Sequence, residues 1–250
     1  MTNADTPVPS VAKTPKAVIL DLNERCSNAV ARATATELEP LVGQSYLFLT
    51  DLEAWTSVLG ARAEAPLLRT ASHEYAVSIL NSCQGQYRNA FKSLRLVLEL
   101  CVQSVFLSAD LVALSEWLRN DSDTNWASLL DGERGPFSKR FCFAFTPSVT
   151  EHGPHFRELA RSVYRELSEC IHGNVPDKIP LPLSLGFDDA TFRLWNEKAI
   201  AVRLVVLFVL STRYLGLLDV EQRKGVEAGV LDQLGHIEAI RDAFSTGIQQ

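Results

Sequence analysis

The chain has 250 residues with 13 glycines and 11 prolines, together about a tenth of the sequence against roughly 12% in ordinary globular proteins. A composition of 46% hydrophobic and 22% charged residues excludes a disordered or fibrous chain, and the shortage of breakers favours helix. The formal net charge of −6 argues against a nucleic-acid binder that works by neutralising phosphates over its whole surface, though a local basic stripe stays compatible with it.

Residues 1–15 carry Pro7, Pro9 and Pro15 among Ser, Thr and Asn and lack the apolar run of a signal peptide, so they read as a flexible tail ahead of a single helical domain over 16–250. Residues 16–38 and 46–59 read as two helices separated by Pro40 and Gly43. Ala76, Leu80, Tyr87, Phe91, Leu94, Leu98, Cys101, Val102 and Val105 recur at helical spacing and predict one long helix over 72–107, with Gly85 interrupting without ending it. Its polar side carries Arg88, Lys92, Arg95 and Glu99, which read as a charge network within and between helices rather than as ligand contacts. Residues 120–154 are rich in Asp, Ser, Gly and Pro and read as a long connection around an apolar patch at 141–145.

The spacing then predicts a helix over 155–171, stopped by Gly173 and Pro176, and an extended link or edge strand over 179–187. Asp188 or Asp189 can cap a helix over 190–217, and Asp219 a last one to Phe244. The segment 199–218 is the most apolar, but Arg203 and Arg213 interrupt it, so a buried helix is expected rather than a membrane span. Five scattered cysteines with no Cys-x-x-Cys pair make a disulfide scaffold improbable and point to a reducing compartment, the cytoplasm. Trp55, Trp117, Trp126 and Trp195 are expected to be packing residues.

The candidate chemistry lies in the 155–172 segment. Phe156, Leu159, Ala160, Val163, Tyr164, Leu167, Cys170 and Ile171 form an apolar face. Arg165 and His172 are seven residues apart, about 20° short of two turns, and so project from one side roughly 10 Å apart along the axis. Arg161 shares that stripe, with Ser168 between and Arg157 one turn further back. An imidazole can take the proton of a ribose 2′-hydroxyl while a guanidinium stabilises charge on the phosphate, which suits metal-free phosphodiester cleavage. The same spacing also arises on ordinary amphipathic helices, where Arg is a surface residue and His a partner for the helix C-terminus.

The stretch Tyr164-Arg-Glu-Leu-Ser-Glu-Cys-Ile-His-Gly-Asn174 resembles the signature of the HEPN superfamily, an Arg followed after four to six residues by a His on a penultimate helix. Gly85-Gln-Tyr-Arg-Asn-Ala-Phe-Lys-Ser-Leu-Arg-Leu-Val-Leu-Glu99 is similar to the long early helix of HEPN-like proteins. The resemblance covers residues 72–217 and implies an all-α, HEPN-like bundle with extra N- and C-terminal helices. It also implies a homodimer whose Arg–His helices face each other across a cleft, and RNA cleavage of a toxin or anti-phage type with an antitoxin or regulatory protein as partner. Arg165 and His172 would be the catalytic pair, and Arg161, Ser168 and Arg157 would support RNA. Glu166 stands where active members often have Asn, His or Asp, which keeps open an inactive binding or regulatory module.

Other signals lead nowhere. His152-Gly-Pro-His155 with Cys170 matches no zinc spacing, and residues 121–125 begin like a calcium loop but place Trp126 where Gly is needed. No Gly-rich phosphate loop or nucleophile elbow occurs, so no metal and no cofactor are expected.

Overall fold

The computed structural model describes residues 14–122, 124–171 and 181–245. Among them the protein is all-α, with no strand: α1 (Pro15–Ala33), α2 (Glu39–Val58), α3 (Ala65–Cys83), α4 (Tyr87–Ala109), α5 (Leu111–Leu118), α6 (Trp126–Leu129), α7 (Lys139–Phe145), α8 (Gly153–Ile171), α9 (Asp189–Tyr214), α10 (Val220–Leu234) and α11 (Glu238–Ser245). Several boundaries depart from the sequence reading, each for a physical reason.

Proline begins helices here rather than separating them. Pro40 and Pro66 occupy the first turns of α2 and α3, where the missing N–H has no intrahelical partner anyway, so α2 starts seven residues ahead of the expected position 46. Pro15 belongs to α1 rather than to the tail, behind Thr14, whose hydroxyl accepts from the Ala17 N–H at 3.2 Å. That helix ends at Ala33, short of residue 38. The connection at 120–154 is structured in part: α6 is capped by Asn125, α7 by Ser138, and Pro147–Val149 form a 3-10 turn. Residues 181–187 form bends rather than a strand, while positions 179 and 180 and most of the tail lie outside the described residues. Toward the end, Leu215–Leu217 is a 3-10 turn, and the last expected helix divides into α10 and α11 around Gly235.

The largest correction is at Gly85. The expected long helix is a hairpin of α3 and α4, and Gly85 turns the chain with φ of +71°. An L residue is strained in that conformation, and a Cβ there would also overlap the Gly186 backbone, which rests against the turn. Tyr87 fastens the same corner, donating to the Asp188 carbonyl at 3.0 Å and accepting from the Asp188 N–H at 2.8 Å. The re-phasing leaves Leu80, expected on the buried face, 52% exposed. Gly85→Ala is expected to lower stability by about 2–4 kcal/mol, the sum of left-handed strain and overpacking, measurable as a drop in the thermal midpoint.

α9 is the central helix, capped by Asp188, with residues 205–214 all buried. It is long and apolar enough to cross a membrane by length and composition, but most of that stretch is enclosed by other helices. Its two buried arginines are satisfied internally. Arg203 binds Asp51 of α2 at 2.6 Å and Asp232 of α10 at 2.8 Å, and Arg213 donates to Ser108 Oγ at 2.8 Å and stacks over the Phe145 ring. α4 and α8 pack on α9, with Phe156 of α8 stacked on Phe208 at 3.8 Å. Trp55 and Trp195 are core residues, whereas Trp117 and Trp126 stay partly exposed. All five cysteines are buried free thiols, Cys170 among them, its thiol pushed up to about 11 by burial.

Candidate functional site

The apolar residues of α8 bury Phe156, Ala160, Val163, Leu167 and Cys170, which fixes the opposite stripe toward solvent. α4 runs antiparallel beside it: Arg88 reaches the last turn of α8, and Arg95 reaches a turn nearer the middle. This pairing brings the polar side of α4 alongside the Arg165 stripe.

Arg165 is exposed and makes no hydrogen bond or ion pair with another described residue. Its guanidinium is therefore free for an anion. Arg161 is engaged, with both carboxylate oxygens of Glu158 at 2.6 Å from one guanidinium nitrogen. Arg157 lies against Gly132 in the loop after α6 and has Glu158 at 3.6 Å. It sits about 12 Å along the axis from Arg165, so it does not share a phosphate with it. Ser168 donates to the Tyr164 carbonyl at 2.8 Å and accepts from Arg95 at 3.4 Å, which makes it a helix-side anchor for Arg95. His172 lies outside the described residues, one position beyond Ile171 at the end of α8.

Glu166 departs from the Arg165 stripe. Lys198 of α9 binds its carboxylate at 2.6 Å and Ser162 donates to it at 2.9 Å, so the acid faces α9 and its charge is compensated there. The Lys198 ammonium holds the Glu166 carboxyl below the ordinary value of 4.5. A depressed carboxylate pKa contributes stability above the unfolded value and loses it as pH falls through the folded one. Lys198→Met is expected to cost about 1 kcal/mol or less at neutral pH, the pair being partly screened by water. Unfolding curves of the two proteins should converge as pH falls below about 4.

Two cations join Arg165 that the sequence reading assigned to a charge network. That network exists in part: Arg95 pairs with Glu99 at 3.5 Å. Among the described residues, however, Arg88 has no carboxylate partner and donates to the Ile171 carbonyl at 2.6 Å, and exposed Lys92 has no partner. The free carbonyls ending a helix carry a negative partial charge that repels phosphate. Arg88 offsets this at the end of α8, next in sequence to His172. The outcome is an exposed corner with three cations, Arg88, Lys92 and Arg165, none of which forms a salt bridge among the described residues, although the charge of Arg165 is felt by neighbouring Glu166.

No family model, no curated protein and no solved structure matches this chain.

Proposed function

We propose that this protein is a metal-independent RNA endonuclease of a toxin or anti-phage defence type, built on a HEPN-like bundle and acting in the cytoplasm. The observation that carries the reading is the cationic corner, free of salt bridges among the described residues, where α4 meets the end of α8 on a protein of net negative charge. His172 takes the proton of a 2′-hydroxyl. The 2′-oxygen attacks the adjacent phosphorus, Arg165 stabilises the charge that accumulates on the phosphoryl oxygens, and the 5′-oxygen leaves with a proton. The products are a 2′,3′-cyclic phosphate and a 5′-hydroxyl.

A homodimer completes this scheme, because a two-fold axis sets a second Arg165–His172 pair across the phosphate to protonate the leaving oxygen. An antitoxin or other regulatory protein would bind over the same corner. His172→Ala tests the reading: RNA cleavage or cellular toxicity should disappear while circular dichroism and the thermal midpoint are retained. Unchanged cleavage would leave the inactive binding module as the better reading. Light scattering tests the composite cleft, which a strictly monomeric species at micromolar concentration would remove.

A further inference from the structure

Beside the cationic corner, at the edge of the core, stands a group of partly exposed side chains that the cleavage scheme does not use. Trp126 opens α6, a helix of one turn in the connection between α5 and α7, and lies parallel to Tyr164 of α8 with ring centroids 4.3 Å apart and planes 13° apart. The Arg95 guanidinium sits 5.3 Å from the centroid of the same tyrosine ring and is steadied by Glu99 and Ser168. Unlike Trp55 and Trp195, each 1% exposed, Trp126 keeps part of its surface in water, as do Tyr164 and Arg95. Tyr164 immediately precedes Arg165, whose unpaired guanidinium projects one helical step, about 100°, away.

Parallel aromatic rings and a guanidinium plane are the surfaces on which unpaired bases stack, and a cation one step away is where the adjoining phosphate falls. Trp126 covers one face of Tyr164 and Arg95 lies over the same ring, so we propose that the outer face of Trp126, backed by Tyr164 and Arg95, is a stacking subsite for one unpaired nucleobase adjoining the phosphate held by Arg165. The subsite rests on the ribonuclease reading for its RNA, but it makes a separate claim. The substrate is unpaired at this position, because a base within a duplex has both faces covered by its neighbours. Purines, with the larger stacking surface, are preferred over pyrimidines.

The test uses the full chain and fluorescence anisotropy with a labelled single-stranded 2′-O-methyl oligonucleotide, which lacks the attacking hydroxyl and stays intact. An abasic nucleotide is moved through the strand one position at a time. The expected result is a loss of affinity of about tenfold or more at one position and little elsewhere, and weaker binding of the matched duplex. Trp126→Leu should abolish that position dependence while Trp126→Phe retains it. Small, uniform losses along the strand, equal binding of single strand and duplex, or no binding would each overturn the subsite, and because these readings use wild-type protein they stand even if Trp126→Leu fails to fold. Cleavage of unmodified RNA is scored separately. Cleavage with uniform abasic losses removes the subsite and keeps the nuclease, whereas a single sensitive position without cleavage keeps the subsite and removes the nuclease.

Discussion

Arg203→Ala is expected to destabilise the protein by about 3–5 kcal/mol, because removing one partner of a buried ion pair leaves the other charge stranded. Arg203 is 5% exposed and Asp51 9%, and the second carboxylate on the guanidinium, Asp232, is half in solvent and loses little. Asp51 has nowhere to turn, since α10 crosses at Gly229 so closely that a Cβ there would overlap its carboxylate. Burial already raises the Asp51 carboxyl above its ordinary value, outweighing the hydrogen bond and charge of Arg203. A raised carboxylate pKa means that the contribution to stability is complete below the unfolded value and lost as pH rises through the folded one. Without the hydrogen bond and charge of Arg203 the Asp51 carboxyl rises further and the variant loses more stability as it ionises, so the deficit of Arg203→Ala should be smallest near pH 4 and grow toward neutrality, as urea unfolding at several pH values would register. Replacing both partners with apolar residues, Asp51→Leu with Arg203→Met, should recover much of the loss.

Arg165→Ala is expected to slow RNA cleavage about 10²–10³-fold, the scale for losing one group aimed at developing oxyanion charge. Folding should change little, because the side chain is exposed and makes no hydrogen bond or ion pair with a described residue. Arg165→Lys restores charge without the planar fork and should recover only part of the rate. Arg161→Ala sets the contrast: that guanidinium already serves Glu158, so cleavage should fall by no more than a few fold. Initial rates on one RNA substrate with all three variants separate these outcomes.

The elements most legible in the sequence were those whose signals are local. α8 and α9 follow from apolar periodicity and, for α9, from Asp188 as cap, and the solvent-facing position of Arg165 follows from spacing alone. The Gly85 hairpin was not legible because apolar residues keep helical spacing straight across it. What excludes a side chain at the turn is the Gly186 backbone, brought there from 101 residues away. Prolines misled for a related reason: Pro40 and Pro66 look like separators until their place in a first turn is known. In the site, Arg88 and Lys92 were visible as a stripe, but only the antiparallel packing of α4 on α8 shows that Arg88 ends at the Ile171 carbonyl rather than in an ion pair. The stack of Trp126 on Tyr164 joins a short helix inside an expected loop to the site helix, a contact that no spacing rule encodes.

The most direct test of the proposed chemistry is end-group analysis of single-stranded RNA incubated with the wild-type protein in excess EDTA. The account predicts cleavage that EDTA leaves undiminished, giving 2′,3′-cyclic phosphate and 5′-hydroxyl ends, with the same ends formed far more slowly by Arg165→Ala. Cleavage that EDTA abolishes, products with 5′-phosphate ends, or no cleavage at all would contradict it.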